Sequence, residues 1–233
     1  CARKCWKSTT AATCRPCAKG GESLDTKKTL CRIGRKMKDA GLVTACDGNI
    51  SFRRDDGTVV ITPSGVPKGE LKPKHLLVVD LDGHVLEGTG KASSESALHL
   101  EIYRKREDVR AIIHAHPVTA TALTVAGIPF RPDIVTEGAL VLGPVPTVAY
   151  APPGSAELAT ACAEAAEGAD VFLMERHGAA TVGQDLEQAF YRLETLETVA
   201  KMYRDSLIFA AASSQQKNNP TAKAQPLSWY LKQ

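Results

Sequence analysis

Two histidines two residues apart carry the first chemical signal in this chain: His114 and His116, in Ala111-Ile112-Ile113-His114-Ala115-His116-Pro117. The apolar run before them predicts a buried strand, and side chains at i and i+2 of a strand point to one face. Both imidazoles then project together, roughly 6–7 Å apart at Cα. Paired metal ligands need that placement. The same pattern also suits two partly exposed histidines, so the pair alone leaves metal binding open. Pro117 cannot extend the ladder and suits the first turn of a helix, which puts both rings at the carboxyl end of the strand.

A third candidate ligand comes from Val171-Phe172-Leu173-Met174-Glu175-Arg176-His177-Gly178, which reads as an apolar strand ending in His177 and repeating the placement of His116. Three neutral imidazoles with an open position suit Zn²⁺, and other divalent metals share the ligand type. Such an ion can polarise a carbonyl and stabilise an enediolate. Glu95, in Lys91-Ala92-Ser93-Ser94-Glu95, is the carboxylate to place beside it, as a fourth ligand or as the base that moves a proton. The two serines read as the N-terminus of a helix carrying Leu98, Ile102 and Tyr103 on one face, with Glu95 in its first turn. Capping and anion binding are compatible there. His99, one turn on, either orients Glu95 or packs within the helix; His75 and His84 lie by turns and read as solvated.

The positioning elements follow from periodicity. A helix starts with Asp25 as N-cap, runs through Leu30, Ile33, Met37 and Ala40, and ends at Gly41. Strands over 50–53 and 58–62 join through Asp55-Asp56-Gly57. Two polar loops flank this hairpin, Cys46-Asp47-Gly48-Asn49 and Thr62-Pro63-Ser64-Gly65. Each combines glycine with side chains that bond phosphate oxygens, and both fall at one sheet end. A second hairpin spans 76–80 and 84–86, and a short helix covers 117–126. A strand follows at 145–149, then a helix over 155–168. The last helix runs from Asp185 to about residue 212, with a stripe of Leu186, Phe190, Leu193, Leu196, Ala200, Tyr203 and Leu207.

Composition bounds the class. The 233 residues are 43% hydrophobic and 24% charged, as in a single globular domain with one sizeable core. No apolar run reaches the length of a membrane span, which predicts a soluble protein. Net charge is +3, but residues 1–30 carry seven Lys or Arg against two acids, leaving about −2 for the remainder. Without a basic face interleaved with aromatics, nucleic acid is not an expected partner. Cys1, Cys5, Cys14 and Cys17 lie in a basic leader over 1–23, read as a flexible extension rather than a metal knuckle or redox pair. The predicted domain occupies 24–212 and a polar tail 213–233. Cys31, Cys46 and Cys162, in apolar surroundings, fit reduced thiols in a cytoplasmic protein.

Taken in order, Gly48-Asn49-Ile50-Ser51, Ile61-Thr62-Pro63-Ser64-Gly65, Ser93-Ser94-Glu95, His114-Ala115-His116 and Arg176-His177-Gly178 resemble the class II aldolase and adducin family, particularly its members that cleave L-fuculose 1-phosphate. The resemblance spans roughly residues 25–210. It implies an α/β fold: a three-layer α/β/α domain with a mostly antiparallel central sheet, assembled as a cyclic homotetramer with active sites between neighbouring subunits. It further implies that His114, His116 and His177 hold zinc, and that Glu95 ligates the empty metal and becomes the acid/base once substrate displaces it. Asn49, Ser64, Gly65, Ser93 and Ser94 would hold the phosphate of a sugar-phosphate substrate. The implied reaction cleaves a ketose 1-phosphate, L-fuculose 1-phosphate or a related deoxy-ketose phosphate, to dihydroxyacetone phosphate and an aldehyde through an enediolate at the metal.

One departure concerns the aldehyde half. Family aldolases of this type use a neighbouring subunit's tyrosine to protonate the aldehyde oxygen, at a place matching Val135; this chain reads Ile134-Val135-Thr136-Glu137-Gly138. Either Glu137, Tyr150 or a tail residue serves, or the aldehyde differs. Alternative activities on the same platform are a pentulose-phosphate 4-epimerase, a dehydratase or a decarboxylase. The related epimerases carry aspartate where Glu95 stands. A non-catalytic adducin-like module would not need the His114, His116, His177 and Glu95 set.

Overall fold

The computed structural model describes residues 19–218, with side chains over 25–214. The leader cysteines Cys1, Cys5, Cys14 and Cys17 and the tail aromatics Trp229 and Tyr230 lie outside the described residues. Eight strands form one sheet: β1 (Asn49–Arg53), β2 (Val59–Ile61), β3 (Leu77–Val79), β4 (Val85–Glu87), β5 (Ala111–Ala115), β6 (Thr147–Val148), β7 (Val171–Met174) and β8 (Gly178–Gly183). Their order is β4-β3-β2-β1-β5-β8-β7-β6. Every pairing is antiparallel except β6 with β7.

Side chains alternate along each strand, so the sheet buries both faces. Ala111, Ile113 and Ala115 of β5 join a core formed with α1 (Lys19–Asp39), α3 (Val118–Val125) and α5 (Leu186–Asn218). Ile112 faces the opposite core, built from α2 (Ser96–Lys105) and α4 (Ala156–Gly168). The architecture is the expected α/β/α three-layer fold with a mostly antiparallel sheet.

Strand direction gathers the site. Because β1 runs antiparallel to both β2 and β5, the start of β1 meets the end of each: Thr62 N–H bonds the Ile50 carbonyl, and Asn49 stands opposite His114. Since β8 opposes β5, its start lies beside the end of β5, with Ala179 opposite Ala115. Both polar loops, the His114–His116 end and the segment before Gly178 therefore share one end of the sheet.

Three expectations are corrected. α1 starts at Lys19, so Asp25 lies inside the helix instead of capping it. The strand expected to end at His177 stops at Met174, and Glu175-Arg176-His177 forms the turn into β8. β8 escapes periodicity because Gly178-Ala179-Ala180-Thr181-Val182-Gly183 is made largely of small residues with weak strand preference; all six are buried. Cys46 is exposed in the loop before β1, not set in apolar surroundings.

Candidate metal centre

His114 is the penultimate residue of β5 and fully buried, His116 follows just past the strand, His177 sits on the β7–β8 turn, and Glu95 precedes α2. Ring centroids of the three imidazoles lie 4.9, 4.9 and 5.1 Å apart. Nε2 of His114 is 3.0 Å from Glu95 Oε2 and 3.1 Å from Nε2 of His116. Nε2 of His177 is 3.1 Å from Glu95 Oε1. Glu95 Oε1 is buried without a hydrogen-bond partner, and so is His177 Nδ1 on the other side of its ring.

The outer nitrogens explain why the inner ones converge. His114 Nδ1 donates to the Ala179 carbonyl at 2.9 Å, which leaves its Nε2 lone pair facing inward. His116 Nδ1 faces Asp47 Oδ2 at 3.4 Å, which turns that side of its ring away from the other two imidazoles. Burial, followed by the charges of the other two imidazoles, pushes His116 down to about 4, so it is neutral at pH 7. Burial alone would push the Glu95 carboxyl up, but the neighbouring His114 and His177 outweigh it and hold Glu95 well below the usual carboxylate range. Three converging imidazoles and one carboxylate with an orphaned oxygen make a donor set that fits a divalent ion. Ligands about 2 Å from a common tetrahedral ion are roughly 3.3 Å apart, close to the spacings here.

Local backbone makes this approach possible. A Cβ on Gly178 would stand 2.4 Å from the Ala115 carbonyl oxygen and 2.9 Å from His116 Cδ2. Gly48, at φ +72°, passes so near His114 that a Cβ would meet its carbonyl oxygen at 2.7 Å. Arg176 adopts φ +55°, uncommon for a residue with a side chain. Its N–H bonds Thr124 Oγ1 at 2.9 Å, holding the His177 turn against α3.

Beside the imidazoles, Ser64 N–H bonds the Lys91 carbonyl at 2.9 Å and Ser93 N–H bonds the Thr62 carbonyl at 3.3 Å, zipping together the two serine-bearing segments expected to hold phosphate. Ser64, Gly65 and Ser94 are exposed or half-buried, as is Ser93. Asn49 is buried, its amide nitrogen 3.0 Å from Ser93 Oγ and 3.1 Å from Glu95 Oε2. Glu95 occupies the N-cap position of α2 instead of its first turn, with its side chain turned to the imidazoles and no side-chain cap bond. Val135 is half-buried and Glu137 exposed. Tyr150 is tied to the His177 turn: its N–H bonds Glu175 Oε2 at 3.1 Å, and the Arg176 guanidinium lies 4.8 Å from its ring centroid.

Several participants escaped sequence reasoning. Lys68, fully buried, donates to the Cys46 and Val66 carbonyls at 3.0 Å each and ties the loop before β1 to the one after β2. Glu197 of α5 accepts from Thr119 and Ala120 N–H at the start of α3, just after His116-Pro117. Ser51 and Tyr103 contact each other beneath His99, which the sequence did single out either as orienting Glu95 or as packed in the helix, and which lies buried between Ser51 and Asn49. A lysine between turn residues and a glutamate within an apolar helical stripe were the available signals.

A three-layer domain that gathers imidazoles and a carboxylate at one sheet end, beside paired serine loops, defines a metal-dependent lyase of the class II aldolase type. The sequence model described as Class II Aldolase and Adducin N-terminal domain matches residues 28–204, and the chain belongs to that family. An L-fuculose phosphate aldolase of Methanocaldococcus jannaschii is 38% identical over 177 residues, covering 76% of this chain and 94% of the relative. A 3-oxo-tetronate 4-phosphate decarboxylase of Haemophilus influenzae is 33% identical, covering 77% of this chain and 87% of the relative. The crystal structure of L-fuculose-1-phosphate aldolase from Thermus thermophilus superposes with a TM-score of 0.74 at 34% identity, covering 82% of this chain and 97% of that one.

Proposed function

We propose that this enzyme is a zinc-dependent aldolase cleaving L-fuculose 1-phosphate or a related deoxy-ketose 1-phosphate to dihydroxyacetone phosphate and an aldehyde. The convergence of the Glu95 carboxylate with Nε2 of His114, His116 and His177 carries this reading. These four residues would hold the ion, whose chemistry when bound is to polarise the ketose carbonyl and stabilise negative charge on its oxygen. Ser64, Gly65, Ser93 and Ser94 hold the phosphate, with Asn49 backing Ser93 from beneath. As the C4 hydroxyl gives up its proton, passed through the aldehyde-end group to the Glu95 carboxylate, the C3–C4 bond breaks, its electron pair forms the C2–C3 double bond, and the carbonyl pair moves to the C2 oxygen to leave an enediolate. The Glu95 carboxyl then delivers a proton to C3, completing dihydroxyacetone phosphate. Tyr150, joined to the His177 turn, is our candidate for the aldehyde end, ahead of Glu137 or a tail residue.

The second reading is a decarboxylase of 3-oxo-tetronate 4-phosphate. The absence of tyrosine near Val135 and the similarity to a relative of that name favour it. Loss of CO₂ from that β-keto acid leaves the same enediolate, and protonation leaves the same dihydroxyacetone phosphate. Release of dihydroxyacetone phosphate alone therefore does not separate the two, whereas the co-product does. Purified protein with zinc should release an aldehyde from ketose 1-phosphates; CO₂ from 3-oxo-tetronate 4-phosphate with no aldehyde from any ketose phosphate overturns the aldolase reading. Isomerised pentulose phosphate without cleavage would instead identify an epimerase. Glu95→Gln should lower kcat by about 10²- to 10⁴-fold while substrate still binds.

We further propose a cyclic homotetramer with sites between subunits, and a domain over 24–212 between the leader and the tail. Cys31, Cys46 and Cys162 are free, which suits a reducing compartment, and we place the enzyme in the cytoplasm.

A further inference from the structure

Beneath Glu95, four buried polar side chains form a continuous run between β1 and α2. Asn49 Nδ2 meets Glu95 Oε2 at 3.1 Å. Asn49 Oδ1 meets Nε2 of His99 in a short contact. His99 Nδ1 lies 2.6 Å from Ser51 Oγ, and Ser51 Oγ lies 2.8 Å from the Tyr103 hydroxyl. That hydroxyl also approaches the Arg110 carbonyl at 3.2 Å. Asn49, Ser51, His99 and Tyr103 are each at most 1% exposed.

We propose that His99 is a positioning residue, whose Nε2–H holds the carbonyl of Asn49 so that the Asn49 amide nitrogen faces Glu95 and Ser93. The inference rests on the reading of Glu95 and the three imidazoles as the metal centre. Bond polarity dictates the rest of the run. An ionised carboxylate only accepts, so Asn49 turns its NH₂ toward Glu95, which leaves its Oδ1 to accept from His99. His99 then carries its proton on Nε2, and its Nδ1 accepts from the Ser51 hydroxyl. Ser51 in turn accepts from Tyr103. The shorter contact to Ser51 takes the single Tyr103 hydroxyl proton, with the Arg110 carbonyl at 3.2 Å as at most a second, bifurcated acceptor, and Asn49, His99 and Ser51 are then each partnered.

Burial supports a fixed tautomer. Loss of solvent, reinforced by the charge of nearby His114, pushes His99 down to about 3, so the ring stays neutral at pH 7. A core position between a strand and a helix is ordinarily filled by an apolar side chain, since every buried polar group must be fully partnered. Here the polar run begins at the one carboxylate of the metal centre. With an apolar residue at 99, the Asn49 amide loses its orienting donor and can turn its carbonyl to Glu95, which repels the carboxylate from its seat.

The test uses the whole chain. In zinc-free protein labelled with ¹⁵N-histidine, two-bond ¹⁵N–¹H correlations should show His99 protonated at Nε2. Zinc affinity by chelator competition should weaken about 10- to 100-fold in His99→Leu, as for loss of an outer-shell partner, and stay within about threefold in His99→Gln, whose amide restores the donor. Ser51→Ala, a smaller change, keeps the test open if His99→Leu does not fold: the His99 signals should become a tautomer mixture and zinc should bind several-fold more weakly. Thermal unfolding checks that each variant is folded. Protonation of His99 at Nδ1 in the wild-type protein overturns the proposal. So does wild-type zinc affinity in folded His99→Leu, or in Ser51→Ala where His99→Leu is unfolded. Failure of the wild-type protein itself to bind zinc is a different result, and overturns the metal reading beneath it.

Discussion

Gly178 lets a backbone strand pass under two imidazole rings. A methyl group there would sit 2.4 Å from the Ala115 carbonyl oxygen, 2.9 Å from His116 Cδ2 and 3.2 Å from His114 Cε1. The oxygen is part of β5 and cannot retreat without moving both histidines. Gly178→Ala should therefore cost about 1–3 kcal/mol of stability as an overpacking change. It should also weaken zinc binding about tenfold or more by misplacing ligands, read by chelator competition. Wild-type affinity would mean that the rings tolerate the shift. A second residue-scale expectation concerns pH. His99 and His116 are pushed down to about 3 and about 4 in the folded chain, against about 6.5 when unfolded. The unfolded state then binds more protons below pH 6.5, so stability is present above that value and is lost as pH falls toward 4 and 3. Each histidine contributes up to about 1.4 kcal/mol per pH unit. Glu95, lowered from the carboxylate range, adds its own loss only below about 4.5. Urea unfolding of zinc-free protein at pH 7, 6 and 5 should show the decline, and His99→Gln should make it shallower. A flat wild-type profile would contradict the neutral, buried state of these rings.

Among the elements, α5 holds the start of α3. No side chain at Pro117 caps α3, and Glu197 supplies the missing acceptor, taking Thr119 N–H at 3.0–3.1 Å and Ala120 N–H at 3.1 Å. Glu197→Ala should lower unfolding free energy by about 1–3 kcal/mol, through buried donors left without a partner. Zinc affinity should fall with it, because α3 begins directly after His116. Glu197→Gln, which keeps an acceptor, should lose less on both counts; equal losses would show that the charge matters more than the bond. Glu197 also marks how far local pattern reaches. It occupies the buried stripe of Leu193, Leu196 and Ala200, so a charged residue inside an apolar face was a visible signal of a buried partner, but α3 could not be named from it. His114 and His116 were legible because strand periodicity alone places them on one face. His177 was legible as a residue, yet its element was misread, since a turn at Glu175-Arg176-His177 and a strand of alanine and glycine carry no strong alternation. The Asn49–His99 contact joins residues 50 apart, and only the pairing of β1 beside α2 brings them together.

For the whole molecule, the division of labour between chain and assembly is the point to test. All four candidate metal ligands, Glu95, His114, His116 and His177, come from one chain, so an isolated subunit should hold zinc. The proposed aldehyde end is less complete, with no tyrosine near Val135 and with Tyr150 engaged by Arg176. Large apolar side chains meanwhile stand outside the core: Leu140 is 80% exposed, Val118 69% and Phe209 68%. Such residues favour burial against another surface when they cluster. Light scattering should give about four times the chain mass of 24.9 kDa. Leu140→Asp combined with Phe209→Asp should lower that mass, because two new charges would have to be buried in the contact. If neighbouring subunits complete the aldehyde end, the dissociated variant keeps zinc affinity within a few-fold yet loses cleavage by about tenfold or more, in line with loss of a positioned proton donor. A variant that dissociates and still cleaves at the wild-type rate would place the entire site, aldehyde end included, within a single chain.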